Sequence, residues 1–240
     1  MKLFNIIRTL VSYFCILIFI VLFIVPFLLI ALLPTRLKWA NKLFFFLVDK
    51  FYKLILLSLF IPVRVYGLEN VPKNEHVIFV ANHQSAIDGP ALGLILSGMP
   101  HSWLILDYYT KIPIIGFVIR KMFIPVKQDQ SINASKALFR AVKMAKDQFN
   151  IMIFPEGGRY IDGKIHHFFE GFGVIAKKAE MPVVPVYMPN NGKIYPPYSF
   201  LIHCYPLEIV IGPPITLRPD ESIADFSLRV KEWFVKKSSV

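Results

Sequence analysis

Apolar and polar positions along the chain fall into two regimes, and the change comes at Pro62. Before it, apolar residues dominate. No charged side chain occurs from Thr9 to Thr35, and the run TLVSYFCILIFIVLFIVPFLLIALLPT is longer than the roughly 20 residues that cross a bilayer core. A secretory leader fits poorly, because the run exceeds a leader's apolar core and no small-residue cleavage site follows it. Pro26 is expected to kink this helix. A second apolar stretch, LFFFLVDKFYKLILLSLFIP, is interrupted by Asp49, Lys50 and Lys53, and its uncharged tail is too short to span. Two arrangements fit: a spanning first helix with the second in the interface, or a hairpin dipping into one leaflet. Residues 1–62 are therefore expected to form a membrane-inserted helical hairpin.

After Pro62 the period changes. VRVY reads as a short strand, Gly67 to Asn74 as a turn, and His76 to Ala81 as a buried strand. Helical spacing follows at Ala91 to Leu96. SWLIL and VIRKMFIPV read as further strands, and Ser131 to Phe149 as an amphipathic helix. IMIF, VVPVYM and LEIVIG read as strands, with helices near Gly173 to Glu180 and over Glu221 to Lys237. NNGKIYPPYS, residues 190–199, is the one loop-like insertion. Strands alternating with helices predict an α/β class over residues 63–240: a single mixed-sheet domain flanked by helices.

Composition sharpens this picture. Hydrophobic residues make up 55% of the 240-residue chain and charged residues 18%, which excludes disorder. Two cysteines exclude a disulfide scaffold. Cys15 in the apolar run and Cys204 in an expected strand read as small buried hydrophobes. The formal charge of +11 divides into +6 over the first 62 residues and +5 over the rest. Basic charge beside apolar sequence suits an anionic lipid surface. No nucleic-acid recognition motif or dense basic stripe is present.

Two polar constellations follow buried strands. The first is Asn82-His83-Gln84-Ser85-Ala86-Ile87-Asp88-Gly89-Pro90. Five residues is about 140° out of phase on a helix, so His83 and Asp88 would meet only across a loop. A carboxylate there would fix the imidazole tautomer and stabilise its protonated form. The alternative is a capping Asp beside an ordinary loop histidine. The second is Phe154-Pro155-Glu156-Gly157-Gly158-Arg159-Tyr160. Its glycines let backbone approach a ligand, and an arginine can clamp a phosphate. The alternative is a Gly-Gly turn in which Arg159 pairs with Glu156 or Asp162. Both constellations lie where open α/β sheets bind ligands. His166 and His167 lack a third metal ligand and read as loop residues, and His101 reads as packed or facing the interface.

ANHQSAIDGP, FPEGGRY and MPVVPVYM resemble, in order and separation, three blocks of the glycerolipid acyltransferases, the 1-acylglycerol-3-phosphate O-acyltransferases and their lysophospholipid acyltransferase relatives. The resemblance covers roughly residues 60–215. It implies His83 as general base with Asp88 as its partner. It implies that Glu156, Gly157, Gly158 and Arg159 hold the acceptor's phosphate and glycerol, and that Val183, Val184 and Pro185 shape the acyl site. Gly158 stands where the family usually has Thr, and Gln128 where its second block usually ends in Arg. Lys127 beside it is the substitute cation. The implied reaction moves a fatty acyl chain from acyl-CoA or acyl carrier protein to a lysophospholipid. The foremost acceptor is 1-acylglycerol-3-phosphate, giving phosphatidic acid without an acyl-enzyme. That agrees with the absence of a G-x-S-x-G elbow. No cofactor and no metal are expected. The expected partners are membrane phospholipids and the acyl carrier, with no nucleic acid, at the cytoplasmic face of a membrane. Alternatives are another lysolipid acceptor, such as a lyso-ornithine lipid, a catalytically silent lipid-binding adaptor, and a thioester hydrolase.

Overall fold

Buried apolar runs supply the central strands. The computed structural model describes residues 2–34, 37, 41–126 and 131–239. In chain order these form α1 (Lys2–Leu32), α2 (Lys42–Leu57), β1 (Val63–Tyr66), β2 (Ile78–Ala81), α3 (Asp88–Leu94), β3 (His101–Leu106), α4 (Ile115–Met122), β4 (Ile124–Val126), α5 (Ser131–Lys146), β5 (Asn150–Ile153), α6 (Gly171–Ala179), β6 (Val183–Tyr187), a single turn α7 (Asn191–Ile194), β7 (Leu207–Ile211) and α8 (Ile223–Ser238).

The seven strands form one mixed sheet in the order β1-β7-β6-β2-β5-β3-β4. Neighbours run parallel except β6 and β7. The three central strands, β2, β5 and β6, are buried at almost every position, the continuous apolar pattern of parallel strands covered on both faces. Helices flank the sheet. Phe168, Phe172, Phe226 and Phe234, all at most 3% exposed, join α6 and α8 to its core.

The N-terminal helices pack as an antiparallel pair, with Phe23 and Phe27 of α1 meeting Phe51 and Phe44 of α2 at ring distances of 5.5 to 5.8 Å. Helix α1 continues through Pro26. It is the one described helix long and apolar enough to cross a membrane, from Leu3 to Leu32, by length and composition. Helix α2 differs. Phe44, Phe45, Val48, Tyr52 and Leu56 are buried in the main core. Tyr52 lies so close to α3 that a methyl group at Gly93 would sit 2.2 Å from its ring. Trp103 Nε1 donates to the Tyr52 hydroxyl at 2.9 Å, and that hydroxyl faces His101 Nε2 at 3.4 Å. His101 is packed, as one of its two readings expected, and burial depresses its pKa to about 4.

Two expectations are corrected. VIRKMFIPV is not one strand: Ile115–Met122 is a helix, and only Ile124–Val126 pair with β3. Val118, Ile119 and Met122 are buried at helical spacing while Arg120 and Lys121 point outward, a 3.6-residue period that a nine-residue apolar reading hides. Cys204 is exposed in an irregular segment, not buried in a strand, and Cys15 is half-buried.

Candidate active site

The site lies at the carboxyl ends of β2, β5 and β6. Strand β2 ends at Ala81, and Asn82 locks the turn that follows: its side chain donates to the Met188 carbonyl at 3.0 Å and accepts from the Met188 N–H at 2.8 Å. His83 then starts a loop that ends in α3, with Asp88 in the helix's first turn.

Asp88 is fully buried. Its Oδ2 lies 2.7 Å from His83 Nδ1 and accepts the backbone N–H groups of Gln84 and Ser85 at 2.6 and 2.8 Å. Its Oδ1 accepts from Asn191 Nδ2 at 2.8 Å. The two sequence readings therefore merge: the carboxylate ties down the loop backbone and also faces the imidazole. On the other side of the ring, Arg159 Nε donates to His83 Nε2 at 3.3 Å. A guanidinium donates only, so Nε2 is the accepting nitrogen and Nδ1 carries the proton toward Asp88. The ring stacks on Phe154 with centroids 4.1 Å apart.

The second constellation is zipped to the first. Glu156, 4% exposed, accepts the His83 N–H through Oε1 at 3.1 Å and the His166 N–H through Oε2 at 3.2 Å. The Tyr160 N–H donates to the His83 carbonyl at 2.9 Å. Burial pushes the Glu156 carboxyl above its ordinary value, and the two N–H bonds pull the other way. Gly157 takes φ +66°, and a side chain there would strike the Phe169 ring at 2.8 Å, so the turn requires glycine. Gly158 lies against the Tyr160 ring. Arg159 pairs with neither Glu156 nor Asp162. Its second contact is the Tyr109 hydroxyl, 3.1 Å from a terminal nitrogen. Asp162 instead faces His166 Nε2 at 3.0 Å, and that interaction holds its pKa below the ordinary value. His166 and His167 lie in a loop, and no group of three or more metal-ligating side chains occurs among the described residues.

The structure thus brings together His83, Asp88, Glu156, Gly157, Gly158 and Arg159. Val183, Val184 and Pro185 are buried in β6, in register with Ile78, Phe79 and Val80 of β2. Their place is the sheet core, and what the strand brings to the site is its end, where Met188 holds Asn82. Lys127 and Gln128 lie outside the described residues. Arg120 donates to the Thr110 carbonyl, bracing the turn that carries Tyr109. Sequence reasoning missed Asn191 and Tyr109. Asn191 sits in the segment read as a loop-like insertion, and Tyr109 carries no local signal.

A family model described as Acyltransferase matches residues 62–189, just over half of the chain. The chain belongs to the glycerolipid acyltransferase family. The match takes in both polar constellations and β6 and stops short of Asn191. Among curated relatives of this family, the 1-acyl-sn-glycerol-3-phosphate acyltransferase of Borreliella burgdorferi is 30% identical over 155 residues, 61% of this chain and 62% of that protein. The chloroplast 1-acyl-sn-glycerol-3-phosphate acyltransferase BAT2 of Brassica napus is 29% identical over 178 residues, 73% of this chain and 51% of that protein. The chain spans about half the length of the plant relatives it matches, 51% and 44% for two of them. The crystal structure of the 1-acyl-sn-glycerophosphate (LPA) acyltransferase PlsC from Thermotoga maritima superposes with a TM-score of 0.82 at 28% identity, covering 99% of this chain and 96% of that one.

Proposed function

We propose that this protein is an O-acyltransferase that moves a fatty acyl chain from an acyl thioester to the free hydroxyl of a lysophospholipid, with 1-acylglycerol-3-phosphate as acceptor and phosphatidic acid as product. The observation that carries the reading is the His83 ring, with Asp88 on Nδ1 and an arginine on Nε2. His83 Nε2 takes the proton of the acceptor hydroxyl as its oxygen attacks the thioester carbon. The tetrahedral intermediate collapses, the C–S bond breaks, and the departing thiolate takes the proton back from the imidazolium. Asp88 keeps Nδ1 protonated and stabilises the ring's positive charge between these steps. A base so oriented contributes about 10²–10⁴ in rate.

No acyl-enzyme enters this route. Cys15 lies in α1, Cys204 lies on an exposed segment, and the Ser85 hydroxyl donates to the Tyr195 carbonyl. Arg159 holds the acceptor's phosphate. Its guanidinium rests against the nitrogen that must receive the proton. A phosphate is the stronger partner, because both groups carry charge and the fork can bind two oxygens. Acceptor binding therefore draws Arg159 away and opens Nε2. The acyl donor is a thioester of coenzyme A or acyl carrier protein, and α1 holds the site at the cytoplasmic face of the membrane. The intact arrangement of His83, Asp88 and Arg159 weighs against a silent adaptor.

The test is an acceptor panel: the purified 240-residue chain, one labelled acyl thioester and a set of lysolipids, with products read by lipid mass spectrometry. Transfer to 1-acylglycerol-3-phosphate in preference to zwitterionic lysolipids is expected. Free fatty acid as the sole product would overturn the reading in favour of a hydrolase.

A further inference from the structure

We propose that the segment from Tyr195 to Tyr205 is a second membrane-contacting element, seated beside α1 in the bilayer interface and hydrogen-bonded through Tyr195 to the loop that carries His83 and Asp88. The inference rests on the membrane-bound acyltransferase reading and adds a surface to it.

Four observations carry it. The segment has no acidic or basic side chain other than His203, and between Ile194 and Leu207 it holds four aromatic residues. Its aromatic side chains face outward: Tyr198 is fully exposed, Phe200 58% and Tyr205 47%. Tyr198 also has φ +65°, a conformation that disfavours bulky residues, in the turn closed by the Ser199 N–H on the Pro196 carbonyl. The segment is also fastened to α1. Arg8, buried within the apolar helix, donates to the carbonyls of Leu59 and Ile202. Thr9 Oγ1 accepts from the Ile202 N–H at 3.1 Å, and the Tyr13 hydroxyl donates to the Phe200 carbonyl at 2.7 Å.

These contacts place the exposed aromatics beside an exposed apolar stripe on α1 that includes Leu10, Phe14, Leu17, Val21, Val25 and Leu29. The Tyr13 and Phe200 rings, 5.3 Å apart, join the two surfaces. A lipid interface suits this chemistry, since tyrosine is enriched where an apolar body meets hydrocarbon and a hydroxyl meets headgroups. Tyr195 and the turn just before it, Asn191–Ile194, reach the reaction centre. The Tyr195 carbonyl accepts the Ser85 hydroxyl at 2.6 Å, the Gly192 N–H donates to Gln84 at 3.0 Å, and Asn191 holds Asp88. A bilayer that fixes the outer end of this segment therefore fixes the height of His83 above the lipid surface.

Cys204 provides the probe. In the 240-residue chain carrying Cys15→Ser it is the sole thiol, since this chain has two cysteines. The protein is labelled there with a nitrobenzoxadiazole dye and reconstituted in phosphatidylglycerol–phosphatidylethanolamine vesicles. Spin-labelled lipid is expected to quench the dye, and a water-soluble nitroxide is not. A control dye at Lys178→Cys, in protein lacking both native thiols, should show the reverse. Quenching from water at Cys204 would overturn the proposal. So would protection from both quenchers with energy transfer between labelled copies, which would mean that a second copy covers the segment.

The functional arm uses Tyr198→Asp and Phe200→Asp. Each should lower transfer to long-chain lysolipid in vesicles by about tenfold, the effect of roughly 1.4 kcal/mol in docking. Transfer to a short-chain, monomeric lysolipid should stay unchanged. Equal loss on both acceptors, or no loss on either, would overturn the role. The quenching does not depend on activity, so an unmodified protein inactive on both acceptors would sink the acyltransferase reading and leave this surface standing.

Discussion

Arg159 donates its Nε–H to Nε2 of His83 at 3.3 Å, while Asp88 lies 2.7 Å from the other ring nitrogen. The imidazole is thereby held in one orientation, with its accepting nitrogen covered by a cation that an anionic acceptor can draw away.

His83→Ala should reduce acyl transfer by about 10²–10⁴-fold, the usual contribution of a general base. Asp88→Asn should also lose activity, because an amide can present its N–H₂ to Nδ1 and favour the wrong tautomer. It should further weaken the turn through the N–H groups of Gln84 and Ser85. Steady-state kinetics with a parallel thermal melt separate the two effects. Near-normal transfer by folded His83→Ala would refute the mechanism.

Arg159→Ala should lower kcat/KM for the acceptor by roughly 10²-fold, the scale of a lost charge-assisted contact, with little change in the thioester KM. Tyr109→Phe removes the hydroxyl that braces the guanidinium and should act in the same direction more weakly. Varying each substrate in turn measures the split. Equal effects on donor and acceptor would assign Arg159 to the loop's structure.

Glu156→Ala strips the acceptor from two backbone N–H groups, those of His83 and His166. A buried donor left unpaired costs about 1–3 kcal/mol. Urea unfolding should show a loss of that order, with transfer falling because the His83 backbone loses its anchor. Glu156→Gln keeps the volume but turns an amide donor toward one of the two N–H groups, so it should recover only part of the loss.

Acid should weaken the fold through His101. Its folded pKa lies near 4, against 6.5 for an unperturbed imidazole. Between those values the unfolded chain takes up a proton that the folded chain refuses, so stability falls as pH drops through the window. The slope is at most about 1.4 kcal/mol per pH unit. Urea midpoints of wild type and His101→Gln across the window test this, and an unchanged slope in the variant would place the sensitivity elsewhere.

Removing residues 1–62 should abolish cooperative unfolding, because Phe45 and Tyr52 of α2 are core residues and Tyr52 accepts from Trp103. Removing residues 1–34 should leave a folded but less stable protein. Melting curves in detergent distinguish the two truncations, and a sharp transition in the shorter chain would show that α2 is dispensable to the core.

The sequence by itself determined what local pattern can determine. Buried apolar runs became the central strands, the polar blocks lay at strand ends, and the family was legible in three blocks that each sit on a continuous stretch of chain. Where period was hidden, sequence misled: Ile115–Met122 contains enough apolar residues to pass for a strand, and its helical face emerges only when Val118, Ile119 and Met122 meet the core. Tertiary structure alone decided the partners of long polar side chains. Nothing in FPEGGRY selects His83 and Tyr109 over Glu156 or Asp162 as the contacts of Arg159. That choice depends on β2 and β5 lying side by side, which brings residues 76 positions apart to 3.3 Å. Likewise Asn191 reaches Asp88 because β6 flanks β2 on the other side, and Tyr195 reaches Tyr13 because α1 folds back onto that segment. Local pattern sets which face each element buries; the order and spacing of the sheet set which distant side chains come within hydrogen-bond range.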